Sequence, residues 1–234
     1  MKKEKLSIII PVYNEEKTIA EIIKKVDEVK IPGIEKEIII INDCSKDNSD
    51  KIIKSLIGKY KNIKYFEHKI NQGKGAALRT GFSHVMGDYV VIQDADLEYN
   101  PEDFKRLIIP IKNKKADVVY GSRMLGKIEG FQITSHYYGN LFLSFITRIL
   151  YNNKITDMET CYKMMRKDVL KNIKLKSNSF DIEPEITSKI IKKGYKIIEI
   201  PINYKSRSFI EGKKIHWDDD LFALWTLVKY RFLD

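Results

Sequence analysis

The chain has 234 residues, of which 43% are hydrophobic and 32% are charged, and its formal net charge at pH 7 is +10. This apolar content supports a buried core and excludes wholesale disorder. Two cysteines, Cys44 and Cys161, are too few for a disulfide framework or a four-cysteine zinc site. The positive charge favours anionic partners such as nucleotides, sugar phosphates or an anionic membrane, without selecting among them.

Strands and helices alternate over the first 120 or so residues. Oily runs predict strands at 7–10, 37–41 and 89–93, and further strands are expected at 64–67, which is short, and at 117–120. Apolar residues at helical spacing predict helices at 16–30, 46–60, 74–86 and 101–115. This alternation predicts an α/β fold with right-handed βαβ units, in which helices flank a mostly parallel, twisted central sheet.

The pattern changes after Gly121. We expect helices at 131–152, 181–193 and 217–232, and strands at 161–165 and 195–204. Pro201 lies within the last of these strands, which places that strand at an edge of the sheet because proline cannot donate a ladder hydrogen bond. No repeat and no linker interrupts the chain, so the sequence predicts one domain.

Polar residues follow three of the buried strands, in the segments Tyr13–Glu15, Asn42–Asp43 and Asp94–Asp96. Ligands of open α/β sheets bind beyond the carboxyl ends of the strands. Asp94 and Asp96 point the same way on an extended backbone, so both could face one divalent cation. Asp43 either accepts hydrogen bonds from a base or ribose or caps the next helix.

Basic residues supply candidate anion contacts. Lys74 lies in a Gly-rich turn that enters a helix, although its spacing matches neither a P-loop nor a dinucleotide fingerprint. Four further cations lie in loops or just after strands, where a phosphate clamp belongs: Arg123, Arg207, Lys213 and Lys214. Ordinary solvated surface charge is the alternative for each of them.

The order and spacing of these segments resemble the inverting family 2 glycosyltransferases of the GT-A fold, and within them the dolichyl/polyprenyl-phosphate branch. The segments that carry the resemblance are Pro11–Glu15, Asn42–Ser45, Asn71–Gly75, Asp94–Asp96, Gly121–Arg123, Asp157–Lys163, Glu199–Tyr204, and Arg207 with Glu211–Ile215. The resemblance implies one Rossmann-like domain over residues 1–234. Residues 1–121 would bind the nucleotide-sugar, and 122–234 would form an acceptor-side half that ends in an amphipathic helix.

The resemblance also implies roles for individual residues. The donor-binding set would comprise Pro11, Tyr13, Glu15, Asp43, Lys74, Asp94, Ala95, Asp96, Arg123, Arg207, Lys213 and Lys214. The set that holds Mg²⁺ or Mn²⁺ would be Asp94, Asp96 and Glu98, and the catalytic set Asp96, Arg207 and Asp157. The chain departs from the family pattern at Asn42, where aspartate is common. It also departs at 131–136, where lipid-phosphate enzymes often carry arginine or lysine and this chain has only His136.

The implied reaction transfers a sugar from a GDP- or UDP-linked donor to a polyprenyl or dolichyl phosphate. Such a phosphate, with a second pKa of about 6, is already a nucleophile and needs no strong base. A saccharide hydroxyl is the alternative acceptor and would need a base, for which Asp157 is the candidate. A sugar-phosphate nucleotidyltransferase is a weaker alternative because residues 11–14 lack its Gly- and Arg-containing loop. No basic stripe interleaved with aromatic residues indicates nucleic-acid binding.

Two apolar stretches suggest contact with an anionic membrane. One contains Phe142, Phe145, Ile146 and Ile149, and the other Trp217, Leu221, Leu224, Trp225 and Val228. Each lies on the bilayer or packs against the sheet. No stretch reaches the roughly 20 apolar residues of a membrane span, and no signal-peptide cleavage site follows the N-terminus. We therefore expect a cytoplasmic protein, peripheral on the cytoplasmic face of the membrane, with a membrane protein or a second copy as a possible partner.

Overall fold

The structure, a computed structural model, describes residues 3–130, 134–207 and 217–233. A sheet of seven strands runs through these residues. The strands are β1 (Glu4–Val12), β2 (Ile34–Asn42), β3 (Ile63–Glu67), β4 (Tyr89–Ile92), β5 (Val118–Gly130), β6 (Lys163–Arg166) and β7 (Ile197–Ser206). The helices are α1 (Ile19–Glu28), α2 (Ser49–Ile57), α3 (Lys74–Ser83), α4 (Phe104–Lys112), α5 (Thr134–Tyr151), α6 (Lys167–Asn172), α7 (Ile182–Lys192) and α8 (Trp217–Phe232). A 3₁₀ turn at Pro101–Asp103 precedes α4.

The strand order is β3-β2-β1-β4-β6-β5-β7. The strands β1, β2, β3 and β4 pair in parallel, and so do β5 and β7. Only β6, among the described strands, runs antiparallel to both of its neighbours, β4 and β5. The sheet is therefore mostly parallel, as predicted, and the carboxyl ends of β1, β2 and β4 meet at one edge.

The centre of the sheet is buried on both faces. Residues 8–10 of β1, 38–41 of β2 and 90–92 of β4 are fully buried, which explains their unbroken apolar runs. The amphipathic helices α1 and α4 bury one apolar face each, including Ile22 and Leu107. This rigid core fixes the positions of the polar residues that follow the strands.

The second half of the sheet differs from the predicted elements. Strand β5 continues to Gly130 instead of ending at Tyr120, and its last residues pair with β7 after a register shift. This extension contains glycines and charged residues and lacks an oily run, so it resembles a loop in sequence. Strand β6 begins at Lys163 because the Cys161 N–H donates to the Tyr99 hydroxyl (3.1 Å). The short helix α6 was not predicted, whereas Pro201 correctly placed β7 at the edge.

The turn before α3 is pressed against the connection between α6 and α7. Gly73 has φ +92°, and a Cβ built there would lie 2.4 Å from the Asn178 carbonyl oxygen. The same carbonyl accepts a hydrogen bond from the Ala76 N–H (3.1 Å). The turn therefore requires glycine at position 73, both for its backbone conformation and for its close approach.

We predict that Gly73→Ala lowers the free energy of unfolding by about 2 kcal/mol or more, because strain and a backbone clash combine. The matched control is Gly33→Ala, which also has positive φ (+75°) but no atom within 4 Å of the added Cβ. It should lose only about 1 kcal/mol. Urea unfolding of both variants measures the difference, and equal losses would contradict the packing argument.

Candidate active site

The carboxyl ends of β1, β2 and β4 open into a cleft of about 400 Å³. Residues from both halves of the chain line it. The sequence-predicted residues among them are Pro11, Tyr13, Glu15, Asp43, Lys74, Asp94, Ala95, Asp96, Glu98, Arg123 and Arg207. Asp157 does not line the cleft, and Lys213 and Lys214 lie outside the described residues.

Asp43 organises one end of the cleft. Its carboxylate accepts hydrogen bonds from the N–H groups of Gln72 (2.9 Å) and Gly73 (2.7 Å) and lies 2.7 Å from Nδ1 of His68. The N-cap of α2 is Asn48, so Asp43 does not cap that helix. The carboxylate instead holds the Gly-rich turn beside the end of β2. His68 does not itself line the cleft; it supports the Asp43 carboxylate, a contact that an isolated histidine in a polar loop gives no sequence signal for.

Lys74 and Asp94 form a partly buried ion pair in the middle of the cleft. Lys74 Nζ lies 2.9 Å from Asp94 Oδ1 and 3.3 Å from Glu183 Oε1. Burial opposes ionisation of Asp94, but the Lys74 ammonium group holds the pKa of that carboxyl below its usual range. Glu183 also forms an ion pair with the buried ammonium group of Lys163. Lys74 is therefore a counter-ion of the strand-end carboxylates.

A second charged group surrounds Arg207, which follows β7. Its guanidinium lies 3.1 Å from Asp96 Oδ2 and 3.2 Å from Glu15 Oε2, and its backbone N–H donates to Glu98 (2.8 Å). Burial, followed by the charges of Glu98 and Asp94, raises the pKa of Asp96 to about 8, although Arg207 opposes the rise. Further positive charge would relieve the repulsion among the carboxyl groups of Asp94, Asp96 and Glu98.

These two groups contain more acid than base. Among the described residues, the carboxylates of Glu15, Asp94, Asp96 and Glu98 outnumber the cationic groups of Lys74 and Arg207 by two. This donor set suits a hard divalent cation. No three His, Cys, Asp or Glu side chains in the described part of the chain form a ready-made metal cage. Glu98 is bonded to the Tyr204 hydroxyl and to Arg207.

Asp157 is fully buried and bonded to Arg123. It accepts hydrogen bonds from the Arg123 N–H (2.8 Å), Nε (2.8 Å) and Nη2 (2.7 Å), and from Asn140 Nδ2 (2.8 Å). Burial would raise the pKa of Asp157, but the Arg123 guanidinium holds it below its usual range. Asp157 thus fixes Arg123, whose guanidinium lines the cleft above the Tyr204 ring, with 5.2 Å to the ring centroid.

Helices α5 and α8 form the remaining wall. Asn140, Asp220 and Ala223 face the cleft. The outer faces of the same two helices expose large apolar side chains, which we call the α5/α8 patch: Tyr138, Phe142, Phe145, Ile149, Leu221, Phe222 and Trp225. Ile146 and Leu224 instead pack partly against the core. No helix within the described residues is long and apolar enough to cross a bilayer.

Comparisons with known proteins agree with this geometry. The model of glycosyl transferase family 2 matches residues 7–174. A dolichol-phosphate mannosyltransferase from Pyrococcus furiosus is 31% identical over 217 residues, covering 89% of this chain and 59% of that protein. A dolichyl-phosphate beta-glucosyltransferase from Trichomonas vaginalis is 28% identical over 222 residues, covering 90% of this chain and 68% of that protein. The chain thus spans less than two thirds of the Pyrococcus relative.

Solved structures show the same fold. The crystal structure of glucosyl-3-phosphoglycerate synthase from Mycobacterium tuberculosis with Mn²⁺, UDP and phosphoglyceric acid matches with a TM-score of 0.74. The match covers 99% of this chain and 80% of that one, at 15% identity, and shows the predicted GT-A architecture. The family model covers well over half of the chain. The chain therefore belongs to glycosyl transferase family 2.

Proposed function

We propose that this glycosyltransferase moves a sugar from a nucleotide-sugar, GDP- or UDP-linked, to a polyprenyl or dolichyl phosphate. The observation that carries the proposal is the cleft at the strand ends, which combines excess carboxylates with two fixed arginines beside an exposed apolar patch. The two relatives whose names state dolichol-phosphate or dolichyl-phosphate transfer support the acceptor. In this proposal residues 1–121 bind the donor and 122–234 serve the acceptor.

The donor would lie across the ends of β1, β2 and β4. Its nucleoside would occupy the end formed by Pro11, Tyr13 and Asp43, all of which line the cleft. Asp94 and Asp96 would hold Mg²⁺ or Mn²⁺, which would neutralise the diphosphate leaving group when bound. The excess of carboxylates supports this cation, as do solved neighbours that contain UDP with Mn²⁺ or Mg²⁺. Glu98 would join the site by exchanging its present partners.

A phosphate acceptor suits the positions of the arginines. Arg123 and Arg207 are each fixed by buried or nearly buried carboxylates, so they are oriented before a ligand binds. Two oriented guanidinium groups can bring an acceptor phosphate towards an anionic donor. Lys213 and Lys214 would add to this positive charge from the loop after Arg207. A hydroxyl acceptor would need a base, and Asp157 is enclosed by Arg123 and Asn140.

We predict that radiolabelled UDP-glucose or GDP-mannose, tested with a polyprenyl phosphate and Mn²⁺, places label in organic-extractable lipid. Asp96→Asn should reduce this transfer by about 100-fold or more, because it removes a charge that would hold the diphosphate's cation. The same change should leave the free energy of unfolding unchanged or higher, since it removes repulsion from Glu98 and Asp94.

The matched control is Asp168→Asn, which removes an exposed aspartate paired with Arg166, and it should keep wild-type transfer. Full transfer by Asp96→Asn would refute the metal assignment. Label that enters only a soluble saccharide would refute the lipid acceptor and favour a saccharide hydroxyl.

We also propose that the α5/α8 patch rests on the membrane that contains the acceptor, at its cytoplasmic face. The helices that expose this patch also wall the cleft through Asn140, Asp220 and Ala223. A lipid-linked acceptor could therefore reach the site from the bilayer surface. The net charge of +10 would add attraction to anionic lipids, which weakens as salt rises.

We predict that Trp225→Glu weakens co-sedimentation with vesicles that contain anionic lipid and leaves the melting temperature unchanged. Trp225 is 64% exposed, so its replacement buries no charge in the protein core. Ile109→Glu is the matched control because Ile109 is 53% exposed on α4, outside the patch. Equal losses of vesicle binding in both variants would contradict a specific membrane-facing patch.

A further inference from the structure

Glu159 is a cleft residue with one carboxyl oxygen that no described protein group hydrogen-bonds. It lies in the connection between α5 and β6, and its side chain lines the cleft. Its Oε1 atom is buried and has no hydrogen-bond partner among the described residues. The Glu159 N–H group lies 3.4 Å from Asn140 Oδ1, which ties the backbone to α5. A buried, unpartnered carboxylate oxygen is destabilising, so its presence suggests a ligand that completes it.

The cations near Glu159 are committed to other groups. Lys163 donates to Glu183 and to the carbonyl oxygens of Met158 and Thr160. Arg123 is bonded to Asp157. Burial raises the pKa of Glu159 to about 8; Glu183 and Asp220 add to the rise, and Lys163 and Arg123 oppose it. These cations therefore leave Glu159 Oε1 without a hydrogen bond, and a ligand donor would supply one.

The chemistry of this end of the cleft selects the kind of ligand. Glu159, Glu183, Asp220 and Asn140 all contribute acceptor oxygens to its lining. A phosphate group placed among three carboxyl groups would be poorly accommodated, because Arg123 beside them is already bonded to Asp157. A hydroxyl group of a neutral ring supplies the donor that Glu159 Oε1 lacks among the described residues. The sugar of a nucleotide-sugar has this character.

We infer that Glu159 accepts a hydrogen bond from a hydroxyl group of the sugar ring being transferred, and so helps to select that sugar. This inference rests on the proposed function, because it takes the ligand to be a nucleotide-sugar. In this inference the nucleoside diphosphate lies at the Pro11, Tyr13 and Asp43 end of the cleft and the sugar lies at Glu159. Substitution of Glu159 should therefore affect the sugar and spare the nucleotide.

The test compares the Kd of UDP with that of UDP-glucose, and of GDP with that of GDP-mannose, by calorimetry in Mn²⁺. For the pair that binds the wild type, Glu159→Ala should shift the ratio of the two Kd values against the nucleotide-sugar by about tenfold or more. The Kd of the nucleoside diphosphate should stay within about twofold, because that part of the donor lies away from the substitution. Glu159→Gln should restore most of the ratio, because its amide oxygen accepts the same hydrogen bond.

Two further variants complete the experiment. Glu159→Leu keeps the size of the side chain but cannot accept a hydrogen bond. It should therefore shift the ratio of Kd values as Glu159→Ala does. If the alanine variant does not fold, the leucine variant tests the role of Glu159. Glu21→Ala removes an exposed glutamate of α1 that pairs with Lys25, and it should leave both Kd values unchanged.

The outcomes separate the inference from the proposed function. If the diphosphates bind but neither Glu159→Ala nor Glu159→Leu changes the ratio, the role of Glu159 is refuted and the proposed function stands. Equal weakening of the diphosphate and the nucleotide-sugar also refutes it, since this indicates a structural role. If the wild type binds no nucleoside diphosphate, the proposed function fails and the inference fails with it.

Discussion

Carboxylates buried at the ends of parallel strands must be neutralised, and this requirement shapes the cleft. Asp94 pairs with Lys74 at the start of α3, and Asp96 and Glu15 pair with Arg207 beyond β7. Each pair joins segments that are far apart in the chain. Removal of either cation, Lys74 or Arg207, would leave the carboxylates around it uncompensated and would be destabilising. The charge pairs therefore hold the cleft in shape as well as setting its chemistry.

The neutralisation is incomplete where ligands are proposed to bind. The described carboxyl groups around Asp96 outnumber the neighbouring cations, and the Oε1 atom of Glu159 has no hydrogen-bond partner among the described residues. A divalent cation with a diphosphate would supply charge at the first place, and a sugar hydroxyl would supply a donor at the second. By contrast, Arg123 donates three hydrogen bonds to Asp157, so it is held in one orientation before any ligand arrives. A site with some groups satisfied and others left open is preorganised for a particular ligand.

The sequence predicts well what depends on local pattern. Strands β1, β2 and β4 were found because residues buried on both faces form continuous apolar runs, and Pro201 identified the edge strand. Contacts between residues that are far apart in the chain were not predictable from the sequence. The bond between Asp157 and Arg123 spans 34 residues, and the antiparallel insertion of β6 has no local signal. Glu159 was missed because its lack of a partner is a property of the folded cleft and has no sequence pattern.

The central claim is that the strand-end carboxylates bind a nucleoside diphosphate through a divalent cation. Calorimetric titration of Mn²⁺, with and without UDP or GDP, tests it most directly. Because Asp94 and Asp96 are already paired with Lys74 and Arg207, Mn²⁺ alone should bind weakly. One nucleoside diphosphate should raise the affinity for Mn²⁺ by about tenfold or more, and Mn²⁺ should raise the affinity for that nucleotide by the same factor. An affinity for Mn²⁺ that neither nucleotide changes would contradict the account.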